Sequence, residues 1–375
     1  MIKIGVPKEV KIGESRVGLT PDGVRECLAH SDLEEDFASQ KEEVQVFIEK
    51  GAGILSGYSD EEYRLAGAYL CDTDGVWDTD LIIKVKEPLP EEYGLIDSQV
   101  IYGFFHWNSP SNAGLRERIR ETSAVCLPYE GITHIGSYYS PCLIPMSAIA
   151  GRLALQKGAQ ILEGSLLLGG VPGTRNAKVV IVGGGVVGYN AATMAIGMGA
   201  DVTVLDIDSE RLTHLDSVFR NKIKTVKSNK SNLIKELEDA DLVIGAVLVP
   251  GCAAPKVITN NMICGMKPGS VIVDVAIDEG GCTELSRPTS HETPTYIAND
   301  VIFYCVPNMP ALVPKISTPA LTQETSYFLG HIIGSMKSYR CSYKVYDNET
   351  RKIKREIVRE QFNHEHFGYK FKTQY

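Results

Sequence analysis

The sequence predicts an α/β fold with two doubly wound domains, the first discontinuous in sequence, joined by long helices. Two observations predict it. Short apolar runs alternate with helical stretches before residue 140 and again after residue 177, which is typical of mostly parallel sheets covered by helices on both faces. A glycine-rich turn follows the first apolar run of the second series only. The chain of 375 residues is long enough for two domains with full cores.

Residues 178–206 predict a strand, a glycine turn, a helix and a second strand. The turn is Gly183-Gly184-Gly185-Val186-Val187-Gly188, and the apolar run 179–182 precedes it. We expect Gly183 to permit the tight turn, Gly185 to let the backbone approach a pyrophosphate, and Gly188 to let helix and strand touch. The helix N-terminus then offers free N–H groups to the phosphates. Three successive glycines could form a plain turn, but their context predicts a Rossmann-like dinucleotide site.

Asp206 closes the second strand of this segment. At that position a carboxylate can accept hydrogen bonds from the hydroxyl groups of the adenosine ribose. A 2′-phosphate would meet a like charge there. The sequence therefore favours NAD over NADP as the cofactor.

Composition and charge exclude several classes of protein. The net charge of −9 and the pI near 5.5 argue against nucleic acid or an anionic membrane as the main partner. Nine cysteines are scattered without a CxxC pair, so we expect reduced thiols in a cytoplasmic protein. The first residues predict a strand rather than a signal peptide, and no apolar run approaches membrane-spanning length.

The pattern divides the chain into a substrate domain, residues 1–140 with 306–375, and an NAD-binding domain, residues 141–305. In the first domain we expect strands at 3–6, 44–48, 81–85, 100–105 and 124–127 and helices near 22–29, 60–68 and 111–121. A helix over 145–163 connects the domains, and strands at 242–246, 271–275 and 301–304 help to complete a six-stranded second sheet. A helix near 321–336 returns to the first domain. The acidic stretch 31–43 and the tail 338–375 have no assigned role.

Polar residues follow several of the predicted strands, where ligands bind in open α/β sheets. They are Arg16, Lys84, Lys86, His106, Asp278 and Asn308. Cations, an imidazole and a carboxylate at strand ends would suit an anionic small substrate and a proton transfer.

Each of these residues has an alternative role in the structure. Arg16 could pair with Glu9 or Glu14, and one of the two lysines could be solvated. A lone histidine is more often structural than catalytic, and Asp278 could be an Asx-type turn residue before two glycines. The spacing alone leaves these alternatives open.

Longer motifs resemble a known family. They run in order from Lys3 to about Leu321 and include ESRVGLTP, IIKVKEP, FFH, PMSAIAGRLA, VIVGGGVVGYNAA, MKPGSVIVDVAIDEGGC and YCVPNMPALVPKISTPALT. The sequence closely resembles the alanine dehydrogenases, NAD-dependent relatives of the alpha subunit of nicotinamide nucleotide transhydrogenase. The resemblance implies two Rossmann-like domains, a substrate cleft between them, and assembly as a homo-oligomer, commonly a hexamer.

The resemblance also implies roles for individual residues. The catalytic histidine and aspartate of the family fall on His106 and Asp278, and its substrate arginine and lysine fall on Arg16 and Lys86. Asn308 is expected near the nicotinamide and the substrate. No metal is implied. The NAD contacts of the family fall on Ser147, Gly183, Gly185, Val186, Val187, Gly188, Asp206, Arg211, Ser228, Val247, Leu248, Ile277, Asp278, Val306, Asn308 and Met309.

The expected activity is the NAD-dependent oxidative deamination of L-alanine to pyruvate and ammonia, and its reverse. Trp107 after the histidine and a shortened segment between Glu163 and Gly169 depart from the family pattern and leave open a larger 2-oxo acid or an organic amine as the substrate. The tail also departs from the family pattern, which leaves the hexamer open. A transhydrogenase-like NAD-binding module is a further alternative, which the retained His106 disfavours.

Overall fold

The computed structural model describes residues 1–29, 44–107, 109–134, 140–162, 164–249, 252–343, 365–366 and 369–370. The acidic stretch 31–43 and most of the tail after residue 343 lie outside the described residues. Contacts within the chain divide it into two compact units, Met1–Pro145 with Ala311–Tyr375 and Met146–Pro310. The predicted boundaries, after residues 140 and 305, lie close to these.

The first unit contains a six-stranded sheet in the order β3-β2-β1-β4-β5-β6, and every neighbouring pair is parallel. The strands are β1 Ile2–Val6, β2 Val44–Glu49, β3 Tyr69–Cys71, β4 Leu81–Ile83, β5 Val100–Gly103 and β6 Val125–Pro128. The prediction lacks β3, because this three-residue strand lies at the edge and is partly exposed. Strands β4 and β5 end two residues earlier than predicted, so Lys84 and His106 lie in loops.

The central strands of this sheet are buried on both faces because helices cover the sheet. All the residues of β4 and β5 are buried, as a central parallel strand requires. The helices of the first unit before the connection are α1 Pro21–Ala29, α2 Asp60–Leu65, α3 Thr73–Trp77 and α4 Ala113–Glu121. Next comes α5 Leu143–Leu162, which begins two residues before the predicted helix and places Pro145 in its first turn. A short strand, β7 Thr133–His134, precedes α5.

The second unit contains a seven-stranded sheet in the order β10-β9-β8-β11-β12-β14-β13. Its strands are β8 Lys178–Val182, β9 Asp201–Asp206, β10 Lys224–Lys227, β11 Leu242–Gly245, β12 Val271–Asp274, β13 Thr295–Ala298 and β14 Val301–Tyr304. Its helices after α5 are α6 Val186–Gly197, α7 Ser209–Phe219, α8 Lys230–Glu238 and α9 Asn260–Cys264.

The predicted count of six strands in this sheet is wrong. Strand β13 is an antiparallel edge strand, which a two-residue turn at Asn299 and Asp300 joins to β14. Both turn residues have positive φ, 50° and 60°, as the tightest hairpin turns require. The Asn299-Asp300 pair is the sequence signal for this turn. Strand β13 has no buried residue, so it lacks the apolar run from which other strands were predicted.

The C-terminal helix α10 Pro314–Tyr343 is longer at both ends than predicted and belongs to the first unit. It packs against α1 and β1. Buried polar contacts fix it: the Ser56 and Thr318 hydroxyl oxygens lie 2.8 Å apart, and the Tyr102 hydroxyl donates to the Thr325 carbonyl at 3.3 Å. In the tail, β15 Glu365–His366 and β16 Tyr369–Lys370 form a small antiparallel sheet with β7. Among the described helices none is long and apolar enough to cross a membrane.

Asp241 joins three segments at the amino ends of the strands in the second unit. Its buried carboxylate accepts hydrogen bonds from Arg175 Nη1 at 2.6 Å, from Lys267 Nζ at 3.0 Å and from the backbone N–H of Lys178 at 2.8 Å. Burial alone would raise the pKa of Asp241. The hydrogen bonds from Arg175, Lys178 and Lys267 outweigh it and lower that pKa to about 2.

Changing Asp241 to Asn should lower the free energy of unfolding at pH 7 by roughly 2 kcal/mol. A carboxyl group whose pKa falls on folding stabilises the folded state above its unfolded pKa, and this stabilisation disappears as the pH falls toward the folded pKa. The difference between the two proteins should therefore shrink as the pH decreases from about 4 toward 2. Urea unfolding at several pH values measures it. Asp239→Asn is the control, because Asp239 is largely exposed and pairs only with Lys178 among the described ion pairs. An equal loss in both variants contradicts the prediction.

Candidate active site

The candidate residues follow the carboxyl ends of strands in both units. Arg16 lies in the loop after β1, Lys84 and Lys86 in the loop after β4, and His106 in the loop after β5. In the second unit the glycine turn follows β8, and Asp206 is the last residue of β9. Asp278 and Asn308 follow β12 and β14. Each sheet therefore collects its candidate side chains at one edge.

Arg16 is buried and paired with Glu14. Its Nε donates to Glu14 Oε1 at 2.7 Å, and its Nη2 donates to Glu14 Oε2 at 2.6 Å. Glu14 Oε1 also accepts the backbone N–H of Arg16 at 2.9 Å. Of the two partners that the sequence offered, Glu14 makes these hydrogen bonds. The pair of parallel hydrogen bonds fixes the plane of the guanidinium group.

Lys84 has a structural role in a buried ion cluster. Its Nζ lies 2.7 Å from Glu92 Oε1 and 3.4 Å from Glu9 Oε2, and its side chain is 1% exposed. Burial lowers the pKa of Lys84, but Glu9 and Glu92 more than offset this and raise it. Burial raises the pKa of Glu9 to about 7, although the charge of Lys84 opposes this shift. Lys84 therefore has a structural role.

Lys86 lies against His106, although the two residues are twenty positions apart. Lys86 Nζ is 3.3 Å from His106 Nε2. The Phe104 ring packs beside both groups, 5.8 Å from Lys86 Nζ and 6.4 Å from the imidazole ring, centre to centre. A charged ammonium group can only donate, so His106 Nε2 is the acceptor in this contact. Both predicted residues thus meet in the first unit, in a geometry suited to binding one polar group and accepting a proton from it.

The loop that carries His106 is held by side chains that sequence reasoning missed. His106 has a positive φ of 44°. The Glu130 carboxylate accepts the backbone N–H groups of Phe105 and His106, and the Asn112 side chain donates to the carbonyl groups of the same two residues. Glu130 lies in the segment CLPYEGI, but no local signal links a glutamate after one strand to the backbone after its neighbour.

The Trp107 side chain packs against the core of the first unit. Its indole packs against the core cluster that contains Phe105, and the two rings meet edge to face with centres 6.2 Å apart. Arg116 Nη1 donates to the carbonyl of Trp107 at 2.6 Å. The tryptophan that departs from the family pattern at this position therefore packs against the core of the first unit.

The glycine turn in the second unit has the geometry that its sequence predicts. Gly183 has a φ of 106°, and a Cβ there would lie 2.4 Å from the Ala246 carbonyl oxygen. A Cβ on Gly188 would lie 1.9 Å from the Gly183 carbonyl oxygen, so helix and turn touch. Gly185 has no neighbour within 4 Å of such a Cβ. The space over Gly185, at the start of α6, is therefore open.

Asp206, Arg211 and Ser228 surround this turn. Asp206 Oδ2 accepts the backbone N–H of Gly184 at 2.6 Å, and Arg211 Nε donates to the Gly184 carbonyl. The backbone N–H of Ser228 donates to the Asp206 carbonyl at 2.8 Å. Three predicted cofactor residues from beyond α6 therefore lie together beside the glycine turn.

The other predicted cofactor residues lie along the same edge of the second sheet. Val186 and Val187 begin α6, and Val247 and Leu248 follow β11 beside Gly183. A Cβ on Gly151 would lie 2.2 Å from the Val187 carbonyl, so α5, which carries Ser147, lies against the turn. Ile277 belongs to the 3-10 helix Val275–Glu279, and Val306 and Met309 flank Asn308 after β14.

The side-chain carboxylate of Asp278 binds the backbone of Asn308. The N–H of Asn308, whose φ is 55°, donates to Asp278 Oδ1 at 3.0 Å and to Oδ2 at 3.3 Å. Asp278 thus binds a neighbouring loop, in place of the turn-capping role that its sequence left open. Sequence reasoning missed Asp274, a buried residue that accepts the backbone N–H groups of Ala276 and Cys282 and fixes this loop.

A cavity of about 570 Å³ in the second unit lies away from these residues. It is lined by Lys178, Asp201 and Lys224, which begin β8, β9 and β10. The glycine turn and Asp206 lie at the opposite ends of the same strands. This cavity is therefore not the candidate site.

Comparison with known proteins decides the family. The model of the N-terminal domain of alanine dehydrogenase/PNT matches residues 5–150, and the model of the C-terminal domain matches residues 147–357. The chain belongs to the alanine dehydrogenase/PNT family. The predicted resemblance is confirmed.

Individual relatives within the alanine dehydrogenase/PNT family agree. The chain is 45% identical to an alanine dehydrogenase of Halomonas elongata over 88% of this chain and 86% of that protein. It is 44% identical to an alanine dehydrogenase of Bacillus subtilis over 86% of this chain and 83% of that one. A solved L-alanine dehydrogenase superimposes with a TM-score of 0.82 at 41% identity, covering 91% of this chain and 92% of that chain. The predicted fold of two Rossmann-like domains is confirmed.

A more distant structure shares the fold alone. The transhydrogenase from Sinorhizobium meliloti superimposes with a TM-score of 0.75 at 23% identity, covering 88% of this chain and 94% of that one.

Gly188→Ala should lower the melting temperature by several degrees, because its Cβ would overlap the Gly183 carbonyl oxygen. Gly185→Ala is the matched control in the same turn. Gly185 has a φ of −65° and open space around it, so alanine fits with far less strain. Differential scanning calorimetry measures both. A Gly185 variant as unstable as the Gly188 variant would show that the close approach at Gly188 is not the cause.

Proposed function

We propose that the protein is an NAD-dependent alanine dehydrogenase, which converts L-alanine, NAD and water into pyruvate, ammonia and NADH and catalyses the reverse reaction. The observation that carries the proposal is the contact of 3.3 Å between Lys86 Nζ and His106 Nε2 beside the carboxyl end of a parallel sheet. The identity of 44–45% to the two alanine dehydrogenases above supports the choice of substrate.

Arg16 and Lys86 would bind the oxo acid. A guanidinium group matches a planar carboxylate through paired, charge-assisted hydrogen bonds, and Glu14 fixes its orientation beforehand. Lys86 supplies a compact positive charge for the neighbouring carbonyl oxygen. Withdrawal of electrons from that carbonyl makes C2 electrophilic, which the addition of ammonia requires.

His106 would transfer the proton. Its Nε2 accepts from Lys86 in this structure, so the same atom can take a proton from, or return it to, an oxygen that Lys86 binds. Asp278 would orient ammonia or water and stabilise the positive charge of the iminium group. Asn308, whose backbone Asp278 holds, would lie near the nicotinamide and the substrate.

The residues of the second unit fit a bound NAD. The open space at Gly185 and the N-terminus of α6 suit a pyrophosphate, and Asp206 suits the adenosine ribose. NAD supplies the hydride acceptor, and NADH the donor. The remaining predicted contacts, among them Ser147, Val247 and Met309, are part of the same proposal. So is assembly as a homo-oligomer.

The alternative with a larger substrate is less well supported. It depends on Trp107 changing the pocket beside the histidine, whereas the Trp107 indole packs against the core of the first unit. Pyruvate is therefore the proposed oxo acid and ammonia the proposed amine.

The test is the loss of NADH absorbance with ammonium and a panel of 2-oxo acids, repeated with organic amines in place of ammonium. We expect fast turnover with pyruvate and ammonium, and about 100-fold or more slower turnover by His106→Ala with little change in NADH affinity. Turnover that needs a larger oxo acid or an organic amine contradicts the proposed substrate. Equal activity of the His106 variant contradicts its catalytic role.

Asp206→Asn should weaken NADH binding by about 1–3 kcal/mol and reduce the preference for NADH over NADPH, because the charge that repels a 2′-phosphate is lost. Asparagine keeps an oxygen that can accept the N–H of Gly184, so the turn should survive. Fluorescence titration with both cofactors measures the ratio. Asp208→Asn, at an exposed helix cap two residues on, is the control. An unchanged ratio in Asp206→Asn would rule out the ribose contact.

A further inference from the structure

His106 holds an uncommon backbone conformation. Its φ of 44° lies in the left-handed region, which residues other than glycine adopt uncommonly. Such a conformation persists only where the surrounding structure imposes it. A second group must therefore hold the loop after β5 in place.

The Glu130 carboxylate provides this restraint from the next strand. Its Oε1 accepts the backbone N–H of His106 at 2.7 Å and that of Phe105 at 3.0 Å, and its Oε2 lies 3.3 Å from the Phe105 nitrogen. Glu130 lies in the 3-10 turn Tyr129–Gly131 directly after β6, the neighbour of β5 in the sheet. Hydrogen bonds to a charged acceptor are among the strong ones.

Asn112 holds the carbonyl side of the same residues. Its buried side-chain nitrogen donates to the Phe105 carbonyl at 2.7 Å and to the His106 carbonyl at 3.3 Å. The peptide groups on both sides of the His106 Cα are thus bound by side chains from two other segments. This arrangement fixes φ of His106 and with it the direction of its Cα–Cβ bond.

We propose that Glu130, assisted by Asn112, is a positioning residue that holds His106 in the left-handed conformation and so places its Nε2 against Lys86 Nζ. The proposal rests on the acid-base role of His106 in the proposed function. With φ in the usual negative range, the Cα–Cβ bond would point in another direction and the imidazole would leave Lys86. A displacement of about 1 Å can reduce a rate by about 100-fold.

The proposal predicts a graded loss of kcat in the full-length protein. Glu130→Ala should reduce kcat for pyruvate and ammonium by about 10–100-fold. Glu130→Gln should reduce it only a few-fold, because its amide oxygen can still accept both N–H groups. The KM for pyruvate and the Kd for NADH should change less than about two-fold, since Arg16 and the glycine turn are untouched.

A double-mutant cycle with His106→Ala separates positioning from general stability. If Glu130 acts through His106, Glu130→Ala should have almost no further effect on the residual activity of the His106→Ala protein. Glu62→Ala is the matched control: Glu62 also accepts a backbone N–H, that of Ser59 at 2.7 Å, in an exposed helix cap of the same unit. It should leave kcat unchanged. An equal loss from Glu130→Ala in both backgrounds overturns the proposal.

Hydrogen exchange tests the restraint without reference to activity. Mass spectrometry of a peptide that spans residues 104–107 should show faster exchange in Glu130→Ala than in the wild type, with a peptide from β11 unchanged. Unchanged exchange at residues 104–107 overturns the proposal even if kcat falls. If the wild type does not turn over pyruvate, the proposed function fails, and faster exchange in the variant still supports the restraint on the backbone of His106.

Discussion

Carboxylates that accept backbone N–H groups hold the loops at the carboxyl ends of both sheets. The ladder of a parallel sheet stops where each strand ends, so the first N–H groups of the following loop need other partners. A carboxylate is a strong acceptor that can bind two such groups at once. Five acid–backbone pairs of this kind are Glu9 with Val85, Glu130 with His106, Asp206 with Gly184, Asp274 with Cys282, and Asp278 with Asn308.

The burial of one of these acids, Glu9, has a cost that shapes the first unit. Glu9 lies in the interior, where desolvation raises its pKa to about 7 although Lys84 is close. Lys84 is shared with Glu92, so one cation balances two carboxylates. Lys84 therefore stabilises this cluster. Lys86, two residues on, is the cation that meets His106. Two lysines on one short loop therefore have different contacts: Lys84 pairs with Glu9 and Glu92, and Lys86 meets His106.

Structural elements that depend on a local sequence pattern could be predicted, whereas contacts between segments distant in sequence could not. The central strands of both sheets were predictable, because strands buried on both faces are continuous apolar runs. The edge strands β3, β10 and β13 escaped, since they are short and partly exposed. Arg16, Lys86 and His106 could be placed at strand ends from sequence alone. The partners of His106 could not, because the contact of Glu130 with its backbone depends on β6 lying beside β5.

The left-handed conformations show why these distant partners matter for function. At Gly183, whose φ is 106°, the turn needs no side chain, so glycine meets the geometric requirement unaided. At His106 and Asn308 the proposed chemistry needs a side chain, so glycine is excluded and the strain must be offset from outside. In each case a carboxylate from the loop after a neighbouring strand binds the N–H of the strained residue. Two separate units thus reach the same solution, which makes an acid after the adjacent strand the feature to seek wherever a functional side chain follows a strand end with positive φ.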